Sequence, residues 1–306
     1  MVVPLLAVAL ARVVAWDARS TLVGLNALTP FLYLPAWPVA VGAGLGRRWP
    51  LLAAALVVVV AHLAFVAPEL AAREALPAAA ASAPTMRLYD ANVLVGNQDA
   101  AGYAAEMARA RPDVVVLQEA TPAFVAALDA TGVLAELPNR ITVPRTDPSA
   151  ALVASRWALT DQEVVSIRGR PVLVTATIDY PDHSVRLLAF HAVAPVGGGR
   201  QEWIDDLARL GRAVGVGVGP VLVSGDFNAT WGHRAFRRLL DAGLVDAVAA
   251  RGRPYQMTWP RDRRFVPPLT RIDHVLTRGP LAVTSIRTGD GRGSDHRPLV
   301  ADVALL

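Results

Sequence analysis

Near its C-terminus the chain reads Gly-Ser-Asp-His-Arg-Pro, from Gly293 to Pro298. An Asp-His step after a glycine turn can couple a metal ligand to a base. By itself the hexapeptide is only suggestive, but it has company upstream: Asn92 in YDANVLVGN, Glu119 in PDVVVLQEA, His191 in LLAFHAVAP, Asp226 and Asn228 in VLVSGDFNA, and Asp273 in TRIDHVL. Each stands at or just past the end of a short apolar run. Polar groups delivered at strand ends converge on one rim of a sheet, where α/β enzymes build their sites.

Each residue also admits a plainer reading. Glu119, at the exit of VVVLQ, is either a functional ligand or a carboxylate turned to solvent. In an extended chain Asp226 and Asn228 would point the same way, with Phe227 opposite. Such a pair is either a turn former or two hard oxygen donors. Asn92 could bond backbone at a bend, and His191, closing SVRLLAF, could be a satisfied core histidine. Alternation turns only one of Asp273 and His274 toward a given face. It likewise sets Asp295 and His296 apart, one toward a metal and the other toward a substrate water. Taken together, carboxylates, amides and two histidines in a chain with no cysteine describe a phosphate-handling site for a hard cation, Mg²⁺ or Mn²⁺.

The absence of cysteine excludes a disulfide framework and a thiolate metal site. All 30 basic residues are arginine, most of them beyond residue 85, and the net charge is +4. That balance suits an anionic substrate or an acidic membrane surface and not a protein that coats nucleic acid. The 53% hydrophobic content is concentrated in the first seventy or so residues. Residues 2 to 15, 22 to 45 and 50 to 67 are nearly uncharged, and the second and third reach the length of about 17 to 25 residues needed to cross a bilayer. The first is short and carries Arg12. Two or three transmembrane helices are therefore expected over residues 1–75, an Ala/Pro-rich linker over 76–85 and a catalytic domain over 86–306.

In that domain the pattern predicts strands at about 86 to 94, at VVVLQ, at 150 to 155, 171 to 178 and 184 to 190, and at PVLVS. It predicts helices over DAAGYAAEMARAR, 121 to 130, 200 to 212 and HRAFRRLLDAG, with strands again from 271. Short strands with interspersed helices indicate a layered α/β sandwich.

In this order and setting the motifs resemble those of the endonuclease/exonuclease/phosphatase superfamily over residues 86 to 306. The resemblance implies a four-layer α/β/β/α sandwich of two mixed sheets and a divalent metal, Mg²⁺ or Mn²⁺, held by Asn92 and Glu119 with Asp295 nearby. It further implies that His191 contacts the scissile phosphate and that Asp226 and Asn228 position the nucleophile and the phosphate. His296 is then the general base or acid, and Asp273 orients it. The Arg-rich stretch RGRPYQMTWPRDRRF, at 251 to 265, is either a solvated loop or a contact to a phosphate or lipid headgroup.

Apolar spans ahead of such a domain resemble bacterial membrane proteins of the superfamily found in glycopeptide-resistance clusters. That resemblance implies a phosphodiester or pyrophosphate of a lipid-linked envelope substrate, with the bilayer as partner; no protein partner is inferred. An anchored extracellular nuclease is the runner-up, with nucleic acid as substrate only, and a catalytically inactive phosphate-binding scaffold the third reading. Residues 76 to 85 suit a tether between membrane and globular parts, and a remnant lacking residues 1 to 75 is expected to keep cleaving a short water-soluble phosphodiester or pyrophosphate.

Arg47 and Arg48 lie in the short loop between the second and third apolar segments, and arginines in short loops favour the cytoplasmic side. The prediction is a multi-pass protein of the cell membrane with residue 86 onward outside the cell. A reporter that works only in the cytoplasm, fused after Leu76, should be silent; an active one would reverse the orientation.

Overall fold

The computed structural model describes residues 1–306 except Val218 and Pro254. The N-terminal region folds into α1 (Val2–Ala15), α2 (Ser20–Ala27), α3 (Thr29–Leu32), α4 (Ala36–Leu45) and α5 (Trp49–Ala71). Among the described residues, α5 alone is long and apolar enough to cross a membrane as one helix. The continuous span expected over residues 22 to 45 is instead broken, because the chain bends by 75° between Ser20–Ala27 and Thr29–Leu45. Pro30 and Pro35 fall in that segment, and a proline has no N–H for the helical ladder. Thr29 Oγ1 donates to Asn26 O at 2.6 Å across the break.

Beyond a single turn at Ala78–Ala81, strand and helix alternate. The strands are β1 (Thr85–Asn92), β2 (Val114–Gln118), β3 (Asn139–Val143), β4 (Ala151–Ser155), β5 (Leu159–Ile167), β6 (Arg170–Tyr180), β7 (His183–His191), β8 (Val221–Asp226), β9 (Val245–Asp246), β10 (Asp273–Arg278), β11 (Leu281–Thr288) and β12 (Leu299–Leu305). They form two mixed sheets of six strands, ordered β11-β12-β1-β2-β4-β3 and β5-β6-β7-β8-β10-β9. β1 pairs parallel with β2 and β7 parallel with β8, while β12, β4 and β10 join them antiparallel.

The period of two along each strand sorts its side chains between layers. Met86 and Leu88 of β1 and Val114 and Val116 of β2 meet Leu187, Ala189, Leu222 and Val275 in the core between the sheets. Their neighbours Tyr89, Ala91, Val115 and Leu117 face outward onto α6 (Ala100–Ala110) and α7 (Pro122–Asp129). On the far side Leu188, Phe190 and Val223 meet Trp203, Leu207 and Leu210 of α8 (Arg200–Val214) and Phe236 and Leu239 of α9 (Arg234–Asp241). The result is the four-layer α/β/β/α sandwich. A short α10 (Ala247–Ala250) follows β9, with Asp246 capping Val248 N and Ala249 N. The sequence pattern passes over β3 and β5. β5 is an edge strand with mostly exposed residues and irregular register, so its alternation is faint.

The N-terminal helices are bonded to this sandwich through buried polar contacts. Trp16 Nε1 donates to Gly232 O at 2.8 Å, and His233 Nε2 lies 2.9 Å from Val23 O. Asp17 accepts from Ala235 N at 3.1 Å at the start of α9. A Cβ on Gly232 would stand 1.9 Å from Asn26 O, so no side chain fits there. At the C-terminal end of α5, Glu69 Oε1 meets Arg271 Nη2 at 2.7 Å. Arg271 Nη1 in turn meets Asp246 Oδ2 at 2.7 Å and donates to His274 Nδ1 at the same distance, while His274 Nε2 donates to Ala229 O at 2.9 Å.

Burial works against the charge on Asp246, but the Arg271 guanidinium outweighs it and holds the carboxyl far below the usual carboxylate range. A carboxyl depressed on folding contributes stability above its unfolded value of about 3.9 and loses it as pH falls through the folded value. Asp246→Asn should therefore flatten the acid limb of an unfolding profile. At neutral pH it should cost roughly 3–5 kcal/mol, because Arg271 is left buried with a weaker partner. Denaturant titration of the full chain between neutral and acid pH checks both effects.

Candidate active site

The inward positions of the central strands change character along their length. Below, they are apolar. One step from the top they become Asp90, Gln118 and Ser224, all buried, with Gln118 Nε2 donating to Asp90 Oδ1 at 2.9 Å. At the top come Asn92, His191, Asp226 and Asp273, each the terminal residue of its strand. The register places Asp226 opposite both His191 and Asp273. That close approach depends on Gly225 (φ +145°), where a Cβ would lie 1.8 Å from Phe190 O.

These side chains form one connected cluster. Asn92 Nδ2 donates to Glu119 Oε1 at 2.9 Å and to Asp226 Oδ2 at 3.1 Å. Its Oδ1 accepts from Leu94 N at 3.0 Å. Glu119 follows β2 in the left-handed region (φ 60°), and its Oε2 accepts from Val95 N at 2.7 Å. His191 Nε2 lies 3.7 Å from Asp226 Oδ2 and 3.9 Å from Glu119 Oε1. His296 Nδ1 donates to Asp273 Oδ2 at 2.9 Å. Its Nε2 is thereby turned toward Asp226 Oδ2 (3.8 Å) and Asp295 Oδ1 (3.9 Å).

Two expectations drawn from extended geometry do not hold. Phe227 packs into the core as expected, but Asn228 is left-handed (φ 47°) rather than extended. It donates from its backbone N to Asp226 Oδ1 at 2.8 Å and from Nδ2 to Ala192 O at 3.0 Å. Asp295 and His296 do not point apart, because the segment is bent and both reach the same space. Asp273 and His274 do diverge, with His274 on the Arg271 side.

Several residues that hold the cluster escaped the sequence reading. Ser294 Oγ donates to Asn92 O at 2.8 Å and accepts from His296 N at 3.0 Å, tying the bend to β1. Thr258 Oγ1 receives Ile272 N at 3.2 Å, and Trp259 Nε1 donates to Asp295 Oδ2 at 3.0 Å. Ser294 lies inside the hexapeptide that drew attention, but a serine there gives no signal of its own. Arg145, Arg168 and Arg170 line a groove of about 590 Å³ that opens from Glu119 and His191. On another side of the site Arg261 and Arg292 line a second depression with Asp99 and Asp290.

Negative charge dominates the electrostatics. Burial and the Asp273 charge raise the Asp226 carboxyl well above its ordinary value, and burial lowers His191. Burial opposes the His296 charge as well, but Asp273 and Asp226 outweigh it and push that ring up to about 10. A divalent cation fits such a place. Asp226, Asp273 and His296 present ligand atoms within 4.8 Å of one another. Glu119 and Asp226 share one amide donor, and the buried Asp295 Oδ1 has no hydrogen-bond partner. The donors are hard oxygens and imidazoles with no sulfur.

A four-layer sandwich with carboxylates and histidines at the top of its inter-sheet layer is suited to metal-assisted hydrolysis of phosphodiester bonds. The Endonuclease/Exonuclease/phosphatase family matches residues 91–296, and the chain belongs to that family. No curated protein sequence matches at a significant level. Among solved structures the chain is similar to D. rerio TDP2 complexed with single strand DNA product (20% identity, TM-score 0.61), covering 72% of this chain and 98% of that one. It is similar to 3′ phosphatase NExo from Neisseria bound to product DNA hairpin (21%, TM-score 0.58, 71% and 98%). It is also similar to an endonuclease/exonuclease/phosphatase from Beutenbergia cavernae DSM 12333 (20%, TM-score 0.53, 72% of each chain).

His296→Ala should lower turnover by about 10² to 10⁴, the usual worth of a positioned acid or base. The fold, read by circular dichroism, and membrane fractionation should be retained. A variant with near-normal turnover would remove His296 from the chemistry.

Proposed function

We propose that this protein is a membrane-anchored hydrolase that uses Mg²⁺ or Mn²⁺ to cleave a phosphodiester or pyrophosphate bond of a lipid-linked envelope substrate, with its catalytic domain outside the cell. One observation carries the reading. The site opens at the end of the sheets onto which the apolar N-terminal helices are bonded, since the turn after β8 supplies both Asn228 and the Gly232 contact. A phosphate at a bilayer surface is met at high effective concentration by an enzyme confined to that surface.

Glu119 and Asp295, with Asn92 beside them, would hold the cation, which supplies charge neutralisation at the non-bridging phosphate oxygens. His191 would face the same oxygens, and Asn228 would position Asp226 beside them through its backbone N. Asp273 fixes the His296 tautomer, and once a cation offsets the carboxylate charge that raises the ring, Nε2 would be free to take a proton from the attacking water as its oxygen bonds to phosphorus. The oxygen that leaves, on the opposite side of phosphorus, would take its proton from solvent. Arginines lining the depressions on both sides suit a substrate with more than one anionic group, as a pyrophosphate has.

The second reading, a nuclease, is favoured by the DNA in the TDP2 and NExo structures. Because the expected polar positions are all filled, a hydrolase is preferred over an inactive scaffold.

Dialysis of the full-length protein against a chelator should abolish cleavage of a soluble phosphodiester, and Mg²⁺ or Mn²⁺ should restore it. With metal present, lipid pyrophosphate in vesicles should be turned over faster than oligonucleotides. Full activity without metal would overturn the mechanism, and cleavage of DNA with no action on any lipid phosphate would leave the nuclease reading.

A further inference from the structure

Between Trp259 and Thr270 the chain leaves the sandwich and returns through an antiparallel bridge, with Leu269 N donating to Trp259 O at 2.9 Å. At the tip of this loop Phe265 is 86% exposed and Val266 is 41% exposed. A large aromatic ring held almost wholly in water is an unusual placement, since apolar surface gains by leaving water. Arginines surround it. Arg264 lies over the Phe265 ring at 5.1 Å, and Arg263 is two-thirds exposed with Asp262 at 3.5 Å beside it. Of the Arg-rich stretch 251 to 265, Pro254 lies outside the described residues.

The loop is fastened at two places. At the site, Trp259 Nε1 bonds Asp295 Oδ2 and Arg261 N donates to Asp295 O at 2.8 Å. At its base, Met257 and Leu269 wall a cavity together with Phe65, Val66 and Glu69 of α5. Glu69 is the first acidic residue after the long apolar run of that helix. The loop therefore springs from the level at which α5 changes from apolar to polar.

Aromatic and aliphatic side chains flanked by arginine are what an interfacial segment presents to lipid, with rings below the headgroups and guanidinium groups on the phosphates. We propose that the loop from Trp259 to Thr270 is a membrane-contacting element. It seats Phe265 and Val266 in the bilayer interface and Arg261, Arg263 and Arg264 on anionic headgroups, and so presents Asp295 and His296 to phosphate at the surface. The proposal rests on the membrane reading above and names the surface through which the site meets its substrate.

The chain has no cysteine, so a single substitution takes a single label. Full-length Phe265→Cys, carrying an environment-sensitive fluorophore, is reconstituted in nanodiscs of phosphatidylcholine with or without phosphatidylglycerol. Val164→Cys, on the far edge strand β5, serves as the control. The expected result is a blue-shifted emission at position 265 with several-fold more quenching by acyl-chain nitroxide lipids than at position 164. Anionic lipid should increase the quenching, and Arg263→Glu with Arg264→Glu should remove that increase. Equal quenching at the two positions overturns the proposal. So does a label that responds to a single-stranded oligonucleotide and to neither lipid mixture, which would make the loop a nucleic-acid clamp. Persistence of the anionic-lipid effect in the charge-reversed variant overturns the assignment of the arginines to headgroups. Turnover of bis(p-nitrophenyl) phosphate by the same samples separates the readings. No turnover with a lipid-buried label fails the hydrolase reading alone, whereas normal turnover with a water-exposed label fails the loop assignment alone.

Discussion

Crowded negative charge at the top of the inter-sheet layer is the constraint that the rest of the site answers. Asp226, Asp273, Glu119 and Asp295 meet there, and the buried Asp90 lies one step beneath, its carboxyl raised well above the ordinary range by burial and by Asp273. Two like charges about 4 Å apart near a protein surface repel by about 4 kcal/mol, so such a group holds together only if each charge is met. Asn92 offers one amide to two carboxylates, Val95 N bonds Glu119, Asn228 N bonds Asp226, and Trp259 bonds Asp295. His296 supplies positive charge in the middle. The negative charge these donors leave unmet suits a divalent cation, whose own charge would offset the carboxylates that raise His296.

The same arrangement explains what could be read from the residues alone. Asn92, His191 and Asp226 close apolar runs of period two, so their inward direction follows from Leu88, Ala189 and Leu222 before them. The four layers follow because each run carries a second, outward apolar set. Roles are a different matter. Asn228 and Glu119 depend on left-handed backbone, and Asp295 and His296 share a cavity only because Ser294 bends the chain. Non-local bonds of this kind leave no periodic trace. Thr258 and Trp259 reach the site from a segment whose composition reads as loop, and β5 was passed over because an exposed edge strand lacks the alternation that burial imposes.

The N-terminal helices were legible from hydropathy, but not their attachment. Nothing in the spacing indicates that Asp17 meets the start of α9 or that Glu69 and Arg271 are partners. The pairing matters because Arg271 sits two residues before Asp273, so the end of α5, the short strand β9 and the strand carrying the histidine's carboxylate share one buried ionic group. Stability of the N-terminal helices and order in the site are thereby coupled.

A region fixed by buried bonds has a consequence that a flexible linker would not. On the membrane reading, the altitude of the catalytic rim over the hydrocarbon is set by the fold, as a built-in ruler. Ligands would then be sorted by reach as well as by chemistry. A phosphate held a helical turn too deep or too far out is out of register, however well its oxygens match the site, and spacer length between tail and phosphate becomes a selection rule in its own right.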